Sequence, residues 1–152
     1  MIHLPSVLTG FGIRPDKSLG QNFLADENVL ASIAAAADLS PQDRVLEVGP
    51  GIGSLTCFLA TQAGQVTAVE VDGRLIPALR HTLAAFDNVR VVHGDILALD
   101  PAELMAASGY KVVANIPYNI TSALLRHLLE VGVGTPTYPR PALLVLTVQQ
   151  EV

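Results

Sequence analysis

The chain has 152 residues, half of them hydrophobic and only 15% charged, which is ample for one packed domain and too little for two. A net charge of −5 argues against a free-standing nucleic-acid binder, and a single cysteine excludes both an intrachain disulfide and a cysteine-built metal site. No apolar segment reaches the roughly 18 residues of a membrane span, and no basic region followed by an apolar run opens the chain, so a cytoplasmic protein is expected.

Residues 1–20 form a Gly/Pro-punctuated arm without a sustained period, made locally basic by Arg14 and Lys17. A flexible arm is the expectation there, with residues 1–12 read as a disordered leader. From residue 21 to 152 the pattern is that of a folded unit. Gln21-Asn22-Phe23-Leu24 pairs two amides with two apolar residues, so it can dock on a core and still offer polar groups. Asp26 reads as an N-cap, and Val29, Leu30, Ile33 and Ala37 recur on one helical face that stops near Asp38.

A strand–helix alternation follows. Arg44–Val48 is a strand, Gly49-Pro50-Gly51-Ile52-Gly53 a tight turn, Ser54–Gln62 a helix and Val66–Val71 a second strand. Cys57 falls in the apolar context of that first helix and reads as core. Arg74–Phe86 is helical, with Pro77 in the first turn where a missing N–H costs little. Val89–Val92 is a third strand, Tyr110–Ala114 a fourth, Thr121–Val131 a helix, and Ala142–Gln149 a fifth strand opened by Pro141. This spacing predicts an α/β, Rossmann-like domain whose mostly parallel sheet is covered on both faces. Because the fifth strand runs straight to Glu151-Val152, further strands and a longer chain are expected.

The chemistry gathers where strands end. Glycines 49, 51 and 53 let the backbone approach a ligand closely. Such a turn alone is a weak signal. Glu70, 21 residues after Gly49 at the end of the second strand, sharpens it, because a carboxylate there can accept both ribose hydroxyls of a nucleoside. Asp95, just past the third strand, can take a hydrogen bond from an adenine amino group while Ile96 packs on the ring; ordinary Gly-Asp turn chemistry is the rival reading. The fourth strand stops at Asn115-Ile116-Pro117-Tyr118, since proline lacks an N–H and biases its predecessor away from helix. That loop offers an amide, carbonyls and an aromatic face, which suit a planar amine such as an adenine or cytosine taken out of its stack. Four successive strands thus carry Glu47/Gly49, Glu70, Asp95 and Asn115 to the edge where open parallel sheets bind ligands.

The turn departs from the G-x-G-x-x-G spacing of pyrophosphate binders, because position 54 is Ser. An adenosine without phosphates fits better, and S-adenosyl-L-methionine is the common one. In combination, Lys17–Leu24, Val45–Thr56 and Val113–Ile120 resemble the ribosomal RNA adenine dimethyltransferase family over roughly residues 14–152. Within it the resemblance leans to the branch that dimethylates two adjacent adenosines of small-subunit ribosomal RNA, rather than to the erythromycin-resistance methylases of the large subunit. The Ile52 turn and the Leu-Gly-Gln-Asn-Phe-Leu lead-in carry that leaning.

The resemblance implies that Asn22 and Leu24 lie over the methionine end of the cofactor and that Gly49 and Gly51 contact it. It also implies Glu70 on the ribose, Asp95 and Ile96 on the adenine, and Asn115 between cofactor and target base. Asn115 and the carbonyl of Ile116 or Pro117 would accept from the exocyclic amine, and Tyr118 would stack on the base. The family carries a further helical RNA-binding domain, so the expected partner is small-subunit ribosomal RNA or the assembling small subunit, engaged by a monomer. No metal is expected, and histidines 3, 81, 93 and 127 lack ligand spacing. Two rivals are a non-enzymatic RNA- or transcription-associated protein on this fold, which intact Asn115-Ile116-Pro117-Tyr118 disfavours, and a nicotinamide-dependent oxidoreductase, which the glycine spacing disfavours.

Overall fold

The structure, a computed structural model, describes residues 4–14, 24, 26–116, 118–130, 134–135 and 138–147, with Leu4 and Tyr118 described by their backbone alone. Five strands, β1 (Arg44–Val48), β2 (Gln65–Glu70), β3 (Val89–His93), β4 (Tyr110–Asn115) and β5 (Pro141–Thr147), form one sheet in the order β3-β2-β1-β4-β5. Every neighbouring pair is parallel. The chain therefore steps outward from β1 to β3, then returns to lay β4 on the other side of β1. That reversal opens a crevice at the carboxyl ends of β1 and β4, where doubly wound sheets take their ligands.

Alternation along the strands assigns the two faces. Val45 pairs with Val66 and Lys111, and Glu47 with both Ala68 and Val113, so these side chains, with Glu70 and Asn115 two residues further along, share one face. This face packs against α2 (Glu27–Ala36), α3 (Ser54–Ala60) and α4 (Ile76–Thr82) through Leu30, Ile33, Leu55, Leu59, Leu79 and Leu83. Leu46, Val48, Val69, Val112 and Ala114 point the other way, onto Met105 of α5 (Pro101–Met105) and Leu124 and Leu128 of α6 (Tyr118–Glu130). Because both faces are covered, the strands read as continuous apolar runs rather than alternating ones.

Local chemistry sets the element ends. The Asp26 carboxylate accepts from the backbone N–H of Asn28 at 2.9 Å and of Val29, which is the N-cap expected. The buried stripe of α2 is Leu30, Ile33, Ala34 and Ala37; Val29 stays 39% exposed and is not part of it. One residue before Leu30 lies about 100° round the helix, too far to share its face. The helix expected over 74–86 is confined to Ile76–Thr82. Before it, Asp72 accepts from the Arg74 backbone N–H at 3.0 Å and holds residues 72–75 as a turn; after it, Phe86 N–H reaches only back to Leu83.

Two helices were not foreshadowed by period. In α5, Asp100 caps the backbone N–H of Ala102 at 2.8 Å and Pro101 takes the first turn. The arm expected to be disordered contains α1 (Leu4–Gly10), whose Val7 and Leu8, with Ile13, pack on Ile52, Leu75 and Ala78. Its apolar residues make sense only against that distant surface. Cys57 is half-buried against Ile76, Leu79 and Leu83, and burial pushes its thiol up to about 11.

Candidate nucleoside site at the carboxyl edge of the sheet

Glu70 is the hub of the edge. It closes β2 at 4% exposure, and each of its carboxylate oxygens is taken by a backbone donor. The Gly51 N–H donates to Oε2 at 3.0 Å and the Asp72 N–H to Oε1 at 2.9 Å. The carboxylate thereby ties the glycine turn of β1 to the end of β2. Burial raises its pKa, and the Asp72 charge adds to that, while the backbone donors pull it down. An ionised carboxylate has about four acceptor positions, and these two bonds do not fill them.

The glycine turn is built from left-handed backbone. Gly49, Gly51 and Gly53 have φ of 69°, 61° and 94°, a region that L side chains rarely adopt. Gly49 donates to the Val69 carbonyl at 3.0 Å, extending the β1–β2 ladder into the turn. A Cβ at Gly49 would stand 3.5 Å from Cγ2 of Ile116. The side chain of Ile116, leaving β4, therefore lies close to the turn leaving β1. Asn115, half-buried, ends β4 on the Glu70 face, and α6 starts at Tyr118.

Asp95 is exposed just beyond β3, and its Oδ1 accepts from the Leu97 N–H at 2.9 Å, so the turn-cap chemistry is real. That bond leaves the other carboxylate oxygen uncommitted to the turn. Ile96 is 4% exposed and belongs to the cluster with Val48, Val69 and Ala114, so little of its apolar surface faces the rim. Leu24 is half-buried against the α2–α3 cluster. Asn22, Pro117 and the Tyr118 side chain lie outside the described residues. Glu70, Gly49, Gly51 and Asn115 thus share one edge of the sheet, with Asp95 at its end.

Glu47 is the correction. The sequence places it with Gly49 at the rim; in the structure it is sealed beneath the turn at 1% exposure. Neither its Oε2 nor the Thr56 hydroxyl has a hydrogen-bond partner. Burial drives its pKa up to about 8, opposed by the nearby Thr56 hydroxyl and reinforced by the charge of Glu70. A polar residue in an apolar strand pattern was the available signal.

The remaining candidates lie elsewhere. Among the described residues no cluster of three or more His, Cys, Asp or Glu could hold a metal, and no helix is long and apolar enough to cross a membrane. His127 bonds the Leu99 carbonyl at 2.8 Å, and the His81 ring rests 5.5 Å from that of Phe11. A cleft bounded by Gln42, Arg44, Gln65 and Asn88 opens at the amino ends of the strands, away from every residue above.

Residues 13–152 match the family model described as "Ribosomal RNA adenine dimethylase". The chain is 46% identical to Ribosomal RNA small subunit methyltransferase A of Dehalococcoides mccartyi strain 195, covering 100% of this chain and 50% of that protein. Against the protein of the same name from Moorella thermoacetica it is 49% identical, covering 93% of this chain and 50% of the other. The chain spans about half the length of the curated relatives it matches. Among solved structures, 23S rRNA methyltransferase ErmE superposes with a TM-score of 0.66 at 43% identity, covering 76% of this chain and 44% of that one. A dimethyladenosine transferase from Plasmodium falciparum gives 0.63 at 28% identity, covering 80% and 42%. An RNA methyltransferase from Salinibacter ruber, solved with S-adenosyl-L-homocysteine, shares the fold with a TM-score of 0.61 at 20% identity over 71% of this chain and 70% of that one.

Proposed function

The chain belongs to the ribosomal RNA adenine dimethylase family, and on that premise we propose that it is the cofactor-binding part of an enzyme that methylates N6 of two adjacent adenosines in small-subunit ribosomal RNA, using S-adenosyl-L-methionine. The observation that supports the reading is the close approach of Ile116 to the glycine turn, with the Glu70 carboxylate beside it. It sets a nucleoside-binding edge directly against a segment built to hold a planar amine.

The residues present fit this cofactor. Gly51 commits its N–H to Glu70 rather than offering it to a phosphate, and Glu70, Asp72 and Asp95 make the edge acidic. Arg74 is ion-paired with Asp72 at 2.7 Å. An acidic edge favours a cationic nucleoside over a pyrophosphate. When bound, the cofactor supplies an electrophilic methyl on a sulfonium. Gly49 and Gly51 admit it closely, Glu70 accepts from its ribose, Asp95 and Ile96 border its adenine, and Asn22 and Leu24 cover its methionine end.

Asn115 and the carbonyl of Ile116 or Pro117 accept hydrogen bonds from the adenosine amine. Its lone pair, otherwise delocalised into the ring, is thereby localised toward the methyl carbon. Held in this way, the amine would take the methyl that the cofactor supplies, with the neutral thioether as leaving group, and would lose its surplus proton to solvent. Tyr118 holds the extruded base by stacking. The rate comes from positioning more than from acid–base work.

The RNA phosphates are engaged mainly by surface outside residues 1–152, on a helical domain or on the assembling subunit, since a chain of net charge −5 has little basic footprint of its own. Action as a monomer in the cytoplasm belongs to the same proposal. The large-subunit alternative rests on the ErmE likeness; relatives named for the small subunit match across more of the chain. Calorimetric titration with S-adenosyl-L-methionine and NAD in parallel tests the reading. The first is expected to bind and the second not; binding of NAD alone would overturn it. Methyl incorporation into small against large subunits then separates the two substrates.

A further inference from the structure

Beneath the glycine turn lie two carboxyl groups on one face of the sheet, Glu47 of β1 and Glu70 of β2, and they are held very differently. Glu70 has an amide N–H on each oxygen, at 3.0 and 2.9 Å. Glu47 is almost wholly sealed and its Oε2 has no hydrogen-bond partner; the neighbouring Thr56 hydroxyl also lacks one. An ionised carboxylate with an oxygen left without a donor in an apolar interior is strongly disfavoured, the neighbouring Thr56 hydroxyl opposing that only in part, and a protonated one is not. Of the pair, Glu70 is the one built to stay charged and Glu47 the one built to hold a proton.

The other titratable groups on this face do not change that division. Lys111 of β4 spends its ammonium on Asp43 at 3.2 Å and on the Asp38 carbonyl. His93 of β3 is exposed at the far strand, and the Cys57 thiol of α3 is pushed up by burial to about 11, with Glu47 adding to the rise. The packed face of α2 presents only Leu30, Ile33 and Ala34. Among the described residues, no cation compensates Glu47.

We propose that Glu47 carries a proton in the ligand-free protein and releases it to solvent when a cationic nucleoside binds above the glycine turn, so that cofactor binding and proton release are one event. The inference rests on the cofactor reading given above. A positive ligand over the turn supplies the missing compensation and tips Glu47 to its anion, one proton leaving per ligand bound. With its pKa at about 8, Glu47 is protonated in about nine molecules of ten at pH 7. Affinity therefore rises with pH, by up to about tenfold per unit below that value, and levels off above it.

The test is calorimetric titration of the chain with S-adenosyl-L-methionine at neutral pH in two buffers of different ionisation enthalpy, for the unmodified protein and for Glu47→Gln. The unmodified chain should release close to one more proton per ligand than Glu47→Gln; the ligand's own amino group titrates equally in both and cancels. Equal release by the two proteins overturns the proposal while leaving the cofactor reading intact. Absence of binding by the unmodified chain defeats both, and is distinguished by the lack of any saturable heat. Infrared difference spectra of the unmodified chain cover the case of a variant that does not fold. A protonated-carboxyl band should vanish on ligand addition, and its persistence refutes the release.

Discussion

At the scale of single residues, the clamp on Glu70 separates binding from chemistry. Glu70→Ala removes the proposed acceptor for the ribose and strands the part-buried N–H of Gly51 and the buried N–H of Asp72. Each stranded donor costs about 1–3 kcal/mol, so this variant should lose stability in urea denaturation as well as at least tenfold in calorimetric affinity. Tyr118→Ala should bind cofactor normally and lose turnover in a methyl-transfer assay; normal turnover would sink the stacking role. Glu70 was legible from its distance to the glycines and its place at a strand end. That both its oxygens are already engaged was not, because the donors come from backbone whose path the sequence does not print. Glu47 was visible as a residue but not as a buried one, since depth beneath a turn depends on α3 lying over it.

At the scale of elements, the glycine turn and α3 are fixed from the α4 side. Gly53 sits at φ 94°, and a Cβ there would meet Leu79 Cδ1 at 3.0 Å, Thr82 Cγ2 at 3.3 Å and Leu83 Cδ2 at 3.4 Å. Backbone strain of roughly 1–2 kcal/mol and overpacking of a similar size set Gly53→Ala at about 2–4 kcal/mol of destabilisation, read as a fall in the urea midpoint with an unchanged slope. The strands were the legible elements. Arg44–Val48 is found as expected, β2 is shifted back by one residue, and β3 and β4 each run one residue past expectation. Buried parallel strands announce themselves as apolar runs between turn residues. Short helices do not: α4 loses its ends to side-chain and three-residue turns, and α5 has only the Asp100-Pro101 cap signal in five residues. The α1 helix carries no periodic signal because its apolar side chains answer to Ile52, Leu75 and Ala78 rather than to one another.

At the scale of the whole molecule, charge and length govern what these residues can do with RNA. Relatives are about twice as long, and net charge here is −5. A chain of the relatives' length should methylate isolated small subunits well, and the 152-residue chain poorly though it binds cofactor; equal incorporation by the two would refute the assignment of phosphate contacts elsewhere. The close approach of Ile116 to the Gly49 turn bears on how the proposed enzyme would cycle. On that reading the two compartments would abut, and a spent donor could not shift in its berth without jostling the guest next door. Reloading between two rounds on neighbouring nucleotides would then be a mechanical problem as much as a chemical one.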